Sequence, residues 1–222
     1  MALEALDVAF GYDRPLFEHL SLCVAPGERV ALSAPSGRGK SSLCRLLAGY
    51  ERPWAGSVSA DGVDASCTSC AAYGALVQLL WQQPQAAFDP LRSLGFSLSE
   101  AGDPSSEHAL DLMRRLRVDA SWLARRPREL SGGELMRLAI VRALLACPRY
   151  LIADESTAML DVITQARVWR ELLAEARELD LGLVVVSHDP SLLDLVTMRI
   201  YVLPAPISAE LRTGCSILCT QK

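Results

Sequence analysis

The sequence lacks any uninterrupted apolar run near the roughly 20 residues that a membrane-spanning helix needs. Its N-terminus, MALEALDVAF, also lacks the basic start and long apolar stretch of a secretory signal. Positive charge is not in excess, because 22 Lys and Arg stand against 26 Asp and Glu, giving a net charge of −4. This balance excludes a global basic field that would attract nucleic acid or an anionic membrane. We therefore expect a cytosolic protein with no nucleic-acid partner.

Cysteine is too sparse for the disulfide framework of a small secreted domain. The seven cysteines are an odd number, and reduced thiols are their expected state. Cys67 and Cys70 form one C-x-x-C pair, which Cys215 and Cys219 could complete as a four-cysteine site for zinc or an iron–sulfur cluster. The alternative, which the rest of the sequence favours, is that these residues are small apolar fillers and exposed tail thiols.

Short apolar runs rich in β-branched residues alternate with helical patterns along most of the chain. The runs are ERVALS, YLIAD, GLVVVS and RIYVL, and between two of them Val168, Leu172 and Ala176 mark one face of a helix. Such alternation predicts a mainly parallel sheet covered on both sides by helices. A chain of 222 residues with 50% hydrophobic residues can bury this core, so we expect a single α/β domain over residues 1–222.

Two segments depart from this alternation. Near the N-terminus, LEALDVAF and LSLCVAPGE look like strands with no helix between them, which predicts an antiparallel β layer beside the core. From about Pro90 to Pro127 the strand pattern vanishes, while Ala109, Leu112 and Met113 have helical spacing. We therefore predict an inserted helical subdomain over about residues 86–130.

The stretch ALSAPSGRGKSSL, residues 31–43, differs from the phosphate-binding pattern G-x-x-x-x-G-K-[ST] only at Ala34, which replaces the first glycine. It lies between a predicted strand and a predicted helix, an arrangement that points backbone N–H groups at phosphates. Gly37 and Gly39 supply backbone freedom, Lys40 is expected to reach the β and γ phosphates, and the Ser41 hydroxyl to coordinate Mg²⁺. Alanine at position 34 is tolerable if its φ angle is negative.

Carboxylates stand at the tip of the apolar strand YLIAD, where they have no packing role. Asp154 is suited to holding Mg²⁺ through water, and Glu155 to polarising the water that attacks a γ-phosphate. His188 ends the next apolar strand and could contact the γ-phosphate. Taken alone, an Asp-Glu pair at a strand end is more often the solvated start of a loop. The catalytic assignment therefore depends on the presence of the glycine-rich loop in the same chain.

The stretch ELSGGELMRLAIVRALL contains a second helix N-terminus that can bind an anion. Ser131, Gly132 and Gly133 open a strong helix, whose N-terminal amides can bind an anion. A single nucleotide does not need two such ends from one subunit. We therefore expect the second helix start to cap a nucleotide that is held by another subunit.

With these motifs in family order from about Leu3 to Leu203, the chain resembles the nucleotide-binding subunit of an ATP-binding cassette (ABC) transporter. The resemblance implies a P-loop NTPase core and ATP hydrolysis with Mg²⁺, coupled to transport. It also implies a second ABC ATPase subunit, identical or related, and transmembrane permease subunits, with a substrate-binding protein as an indirect partner. The implied location is cytoplasmic, on the inner face of the cell membrane.

The same resemblance assigns roles to individual residues. Gln82 matches the Q-loop glutamine, which in the family senses Mg²⁺ and the γ-phosphate and couples to the membrane domain. Tyr12 matches the aromatic residue that stacks on adenine, with Phe10 as the fallback. Implied as catalytic are Glu155, His188 and Gln82, and as Mg²⁺ ligands Ser41, Gln82 and Asp154. Implied as ATP-binding are Tyr12, Ala34, Pro35, Ser36, Gly37, Arg38, Gly39, Lys40, Ser41, Ser42, Ser131, Gly132, Gly133, Glu134 and Asp161.

Two further stretches narrow the resemblance. WQQPQAAFDP and LDVITQARV resemble runs found in the dipeptide, oligopeptide and nickel importers. Departures from the family pattern are Ala34 for glycine, Glu134 for the last glutamine of the signature, and Ser156 for proline. None of them removes a residue with an implied catalytic or metal-binding role. We therefore expect an active ATPase subunit of an importer for nickel or small peptides.

Two alternatives remain open from the sequence. One is a soluble ABC-type ATPase that serves a cytosolic enzyme complex, as the carbon–phosphorus lyase accessory subunits do. The other is a small-molecule P-loop kinase, although such a kinase has no use for the LSGGE helix start. Docking of the region around Gln82 on a transmembrane partner is expected only for the transporter subunit.

Overall fold

The computed structural model describes residues 1–66 and 70–204. Cys67, Cys215 and Cys219 lie outside the described residues, so the four-cysteine site stays a prediction. Across the described ranges, no helix combines the length and the apolarity needed to cross a membrane.

Strands and helices alternate through most of the described chain. The strands are β1 (Leu3–Gly11), β2 (Pro15–Val24), β3 (Arg29–Ser33), β4 (Ala55–Ala60), β5 (Val63–Asp64), β6 (Val77–Leu80), β7 (Tyr150–Asp154), β8 (Gly182–Val186) and β9 (Arg199–Val202). The helices are α1 (Lys40–Leu47), α2 (Cys70–Leu76), α3 (Leu94–Ser99), α4 (Glu107–Arg115), α5 (Gly132–Leu145), α6 (Val162–Glu178) and α7 (Pro190–Val196).

A parallel sheet with the strand order β6-β7-β8-β3-β9 forms the core. Every residue of β7 and β8 is buried, because parallel strands are covered on both faces, and this explains why both read as continuous apolar runs in the sequence. The predicted α/β architecture with a mainly parallel sheet is confirmed.

The N-terminal strands form a separate antiparallel sheet with the order β2-β1-β4-β5. Alternate residues in the second half of β2 face the interior, which leaves Leu20, Leu22 and Val24 buried. A hydrogen bond of 2.7 Å from the Tyr150 hydroxyl to the Asp61 carboxylate ties this sheet to the core. The predicted antiparallel layer is confirmed.

The segment between β6 and β7 is helical. Ser106 caps α4 by accepting a hydrogen bond from the backbone N–H of Ala109 at 3.1 Å. Ala109, Leu112 and Met113 are buried on one face of this helix, as their spacing predicts. The subdomain limits of about 86–130 stay a prediction, while α3 and α4 lie inside them.

A buried ion pair fastens α4 to α6. The guanidinium of Arg115 on α4 donates a hydrogen bond to the carboxylate of Glu175 on α6, and it also lies 3.8 Å from Glu171. Glu175 is only 2% exposed, so Arg115 is the cation that makes its burial tolerable. The helical segment is therefore held against the helix that follows β7.

Candidate functional site

The site lies where neighbouring parallel strands end. The glycine-rich loop follows β3, Gln82 follows β6, Glu155 follows β7 and His188 follows β8. Because these four strands are neighbours in one sheet, the residues that follow their carboxyl ends meet at one edge. The topology thus brings together segments that are up to about 150 residues apart in sequence.

Two glycines of the loop need the conformational freedom that the sequence pattern implies. Gly37 has φ 75° and Gly39 has φ 87°, values in the left-handed region that residues with a Cβ atom rarely adopt. Gly39 is also the N-cap of α1, so the helix begins at Lys40 with its N-terminal amides directed at the loop. Ala34 is not among the described residues with positive φ, which meets the condition under which alanine is tolerable there.

Lys40 is held inside the curve of this loop. Its side chain is 8% exposed, and its Nζ donates hydrogen bonds to the carbonyl oxygens of Ala34 at 2.9 Å and Pro35 at 3.4 Å. Carbonyl oxygens are uncharged acceptors, so these two hydrogen bonds do not form an ion pair with Lys40. Phosphate oxygens are stronger acceptors for its ammonium group, so the loop can present Lys40 to a bound polyphosphate.

The loop borders a polar cleft of about 340 Å³, a volume within the range of small-molecule sites. Its lining includes the loop, both catalytic candidates that follow β7 and β8, and the predicted aromatic residue. The lining residues are Tyr12, Leu16, Ser36, Gly37, Gly39, Lys40, Ser41, Ser42, Glu155 and His188. Leu16 was missed by the sequence reasoning, because no motif marks it.

Tyr12 is the aromatic side chain that faces this cleft. Its ring is 54% exposed and packs edge-on against Phe10, with ring centroids 5.4 Å apart. Phe10 is only 3% exposed, and its other neighbours include Trp54 at 6.5 Å. A buried ring has no open face for a base, so the geometry favours Tyr12 over Phe10 as the stacking residue.

Asp154 has the environment of a metal ligand. It is 7% exposed, and its Oδ1 has no hydrogen-bond partner. Burial raises the pKa of this carboxyl, the nearby Glu155 charge adds to the rise, and a hydrogen bond from Ser41 opposes it. A buried carboxylate oxygen without a partner beside a hydroxyl is a set of hard oxygen donors that suits Mg²⁺.

Glu155 is held by two polar side chains from adjacent strand ends. Gln82 donates a hydrogen bond from Nε2 to Glu155 Oε2 at 3.0 Å, and His188 Nε2 lies 2.8 Å from Glu155 Oε1. The backbone of Glu155 has φ 47° and donates its N–H to the Val186 carbonyl at 3.0 Å. The structure therefore brings the three predicted catalytic residues into contact, and their roles stay predictions.

Side chains of α6 hold the turn that follows Glu155 by hydrogen bonds. Thr157 Oγ1 accepts hydrogen bonds from Gln165 Nε2 and Trp169 Nε1, both at 3.1 Å. Thr157 and Trp169 are buried, and the hydroxyl of Ser156 between Glu155 and Thr157 has no partner. The sequence does not reveal this support, because no motif marks Gln165 or Trp169. Only the fold shows that both side chains reach Thr157.

The second helix start is not part of the cleft. Ser131 is the N-cap of α5, its Oγ accepting from the Glu134 N–H at 3.4 Å, and Asp161 is the N-cap of α6. Neither these residues nor Gly132 and Gly133 line the cleft formed by the described residues. In a single chain, the structure therefore separates the predicted ATP-binding residues into two groups.

The parallel sheet, with a phosphate-binding loop, a carboxylate pair and polar strand ends at one edge, defines the class as a P-loop ATPase. A family model described as "ABC transporter" matches residues 17–158. The chain belongs to the ABC transporter family. The resemblance inferred from the motifs is thereby confirmed.

Similar proteins include ATP-binding subunits of importers. A nickel import ATP-binding protein from Pseudomonas putida is 34% identical over 215 residues, covering 92% of this chain and 79% of that protein. A probable peptide ABC transporter ATP-binding protein from Sinorhizobium fredii is 31% identical over 197 residues, covering 84% of this chain and 56% of that protein. A glutathione import ATP-binding protein from Salmonella typhi is 31% identical, and this chain spans 32% of its length.

Solved structures share the fold. A dimeric ATP-binding cassette in a post-hydrolysis state with ADP and Pi has a TM-score of 0.78 and 24% identity, covering 90% of this chain and 94% of that one. A bacterial Atm1-family ABC exporter with ATP bound has a TM-score of 0.76 and 28% identity, covering 91% of this chain and 37% of that one.

Proposed function

We propose that the chain is the ATP-hydrolysing subunit of an importer for nickel or for di- or oligopeptides, attached to permease subunits at the inner face of the cell membrane. The observation that carries the proposal is the separation of a polar P-loop cleft from a second helix start at Ser131. Each chain then offers one half of a nucleotide site to its neighbour and takes the other half from it. The neighbour is a second ABC ATPase subunit, identical or related.

ATP occupies the cleft with its phosphates against the loop and the N-terminus of α1. Lys40 exchanges the carbonyls of Ala34 and Pro35 for phosphate oxygens, and Tyr12 stacks on the adenine. Ser41, Asp154 and Gln82 would hold Mg²⁺, which when bound would neutralise negative charge on the phosphates. The unpartnered Oδ1 of Asp154 supports this assignment.

Glu155 is the residue that catalyses hydrolysis of the bound ATP. Its carboxylate orients the attacking water and accepts its proton, which is the role of a general base. Gln82 and His188 fix the carboxylate from two sides, so that little reorganisation is needed when water arrives. The hydrogen bonds of Thr157 to Gln165 and Trp169 hold the turn on which Glu155 lies.

The transported substrate is proposed from the relatives and from the importer-like sequence runs. Two of the relatives are named for nickel import and for peptide transport, and WQQPQAAFDP and LDVITQARV resemble runs of such importers. The role of a soluble accessory ATPase is less well supported, since the importer proteins reported above match most of the chain. Choice of substrate lies with the permease and a substrate-binding protein.

Cell fractionation and uptake test this proposal together. We expect the chain to sediment with membranes of its host, to co-purify with permease subunits in detergent, and to be required for uptake of radioactive nickel or of a labelled dipeptide. A Lys40→Ala chain should still sediment with membranes but should not restore uptake, since only nucleotide binding is lost. A chain found in the soluble fraction with a cytosolic enzyme would contradict the transporter role and favour the accessory ATPase.

A further inference from the structure

The N-terminus of α5 carries a carboxylate in the position where the family signature has a neutral glutamine. Glu134 Oε2 accepts hydrogen bonds from both the backbone N–H and the Oγ of Ser131, each at 2.8 Å. The Ser131 hydroxyl in turn accepts from the Glu134 N–H at 3.4 Å. The donors of Ser131, which the proposed function offers to the nucleotide of a second chain, are thus already directed to a side chain of the same helix.

This carboxylate is charged at neutral pH. The hydrogen bonds from the backbone and the hydroxyl of Ser131 lower the pKa of Glu134, and Arg137 and Arg125 lower it further by their positive charge. Arg137 itself contacts other groups: its Nη1 donates to the Arg117 carbonyl at 2.7 Å, its Nε to the Gly133 carbonyl at 3.4 Å, and its guanidinium lies over the Trp122 ring at 5.1 Å. The negative charge of Glu134 therefore stays close to Ser131.

We propose that the Glu134 carboxylate competes with the γ-phosphate of ATP for the N-terminus of α5, and so weakens ATP-driven association of two chains. The inference rests on the two-chain site of the proposed function. Glu134 would then set the affinity with which two chains close on ATP, because its carboxylate must give up the Ser131 hydroxyl and lie beside a phosphate of the same sign. The same contact stabilises α5 in the separate chain, where it completes a capping box.

The size of the effect follows from the distances. The single Ser131 hydroxyl proton can be donated to a phosphate oxygen or to Glu134, while the backbone N–H of Ser131 can still hold the carboxylate. The two negative charges then lie roughly 5 Å apart, since a hydrogen bond spans about 2.8 Å. Coulomb's law at about 5 Å corresponds to a roughly fourfold change in an equilibrium constant in water and to more than about a hundredfold at the effective dielectric of a protein surface. We expect Glu134→Gln to tighten ATP-driven association by at least about fivefold.

Glu129→Gln is a matched control. Glu129 lies five residues before Glu134, and it accepts a hydrogen bond at 2.7 Å from the N–H of Arg126 in a capping box of its own. The substitution removes the same charge from a similar cap at the start of the short 3₁₀ helix Pro127–Glu129, where the carboxylate is bonded to Arg126 and not to Ser131. A general effect of net charge on association would therefore appear in both variants.

The experiment measures the concentration midpoint of association by sedimentation velocity, with Mg²⁺ and ATP, in chains that also carry Glu155→Gln. We expect Glu134→Gln to lower the midpoint at least about fivefold, and the gain to shrink at high salt because it is electrostatic. The Tm of Glu134→Gln without nucleotide should stay equal or fall slightly, because the cap of α5 loses a charge. If Glu134 had only a structural role, an equal or lower Tm would not be accompanied by tighter association.

Equal midpoints for the parent and Glu134→Gln, or an equal gain in Glu129→Gln, would overturn the inference while leaving the two-chain site intact. A failure of all three chains to associate with ATP would overturn the two-chain site itself, and the inference with it.

Discussion

The imidazole of His188 lies 2.8 Å from the carboxylate of Glu155, and the two residues follow neighbouring strands of the core sheet. Parallel pairing of β7 with β8 thus sets the contact between a candidate base and the group that orients it. Gln82, which follows the strand on the other side of β7, reaches the second carboxylate oxygen. The carboxylate is held from both sides by residues that are fixed by strand register.

The first prediction concerns Glu155 as general base. Glu155→Gln should bind ATP with Mg²⁺ but hydrolyse it about 10²- to 10⁴-fold more slowly, which is the usual contribution of a general base. Binding by calorimetry and phosphate release measure the two properties separately. Lys40→Ala serves as the contrasting variant, because it should lose binding itself. Hydrolysis by Glu155→Gln at the rate of the unmodified chain would remove Glu155 from the base role.

The second prediction concerns Ala34, where the family pattern has glycine. Its φ is not positive, so a Cβ atom causes no strain there. Ala34→Gly should change ATP affinity by no more than about fivefold, since the added chain entropy of glycine typically costs about 0.5–1 kcal/mol. Titration of a fluorescent ATP analogue measures this. A change from undetectable to tight binding would instead identify the natural loop as a decayed site.

The third prediction concerns the cost of burying Asp154. Burial first, and the charge of Glu155 second, raise the pKa of Asp154 against the hydrogen bond from Ser41. A raised pKa means that the folded state binds more protons than the unfolded state, so this residue lowers stability as pH rises above the ordinary Asp range. Asp154→Asn should therefore raise the Tm of the nucleotide-free chain, by about 2–4 °C for each kcal/mol relieved.

The same variant should lose the Tm increase that Mg²⁺ and ATP give the unmodified chain, because its metal ligand is gone. Asp13→Asn, at an exposed position, is the control that removes the same charge from the surface. A lower Tm for Asp154→Asn than for this control would contradict the destabilising role of the buried charge.

The fourth prediction concerns the ion pair between α4 and α6. Arg115→Ala leaves the carboxylate of Glu175 buried without its cation, a change that typically costs about 3–5 kcal/mol of unfolding free energy. Arg114→Ala is the matched control, since Arg114 is 80% exposed and pairs with Asp111 at the surface, where such a pair contributes about 0–1 kcal/mol. Urea unfolding compares the two, and equal losses would contradict a supporting role for Glu175 and Arg115.

The strands of the core and the residues of the cleft could be predicted from local sequence. Buried parallel strands read as continuous apolar runs, so β3, β7 and β8 are recognisable, and the phosphate loop, Asp154 and Glu155 lie directly at strand ends. The apolar run of β9 also marks a strand, although three of its four residues are exposed. The helix before Gly49 ends at Leu47, where Gly49 with φ 77° completes the turn.

Contacts between distant segments could not be predicted in this way. Arg115 and Glu175 are 60 residues apart, and Thr157 meets Trp169 only because α6 folds back over the strand that precedes it. The position of Lys40 over the carbonyls of Ala34 and Pro35 depends on loop torsions that the motif does not specify. The spacing of Ser131 and Glu134 predicts a capping box from the sequence alone. Its effect on the association of two chains around ATP depends on the second chain.

The central claim is that ATP lies between two chains. The most direct test is the molecular mass of the protein when ATP is bound but not hydrolysed. In a Glu155→Gln chain, Mg²⁺ and ATP should shift the light-scattering mass from one chain to two, because a ligand shared by both chains favours the closed dimer by its differential affinity for that state. Ser131→Arg should abolish the shift while ATP still binds the single chain. A two-chain mass that persists in Ser131→Arg, or a chain that stays monomeric with ATP both alone and mixed with any related cassette of its host, would contradict the shared site.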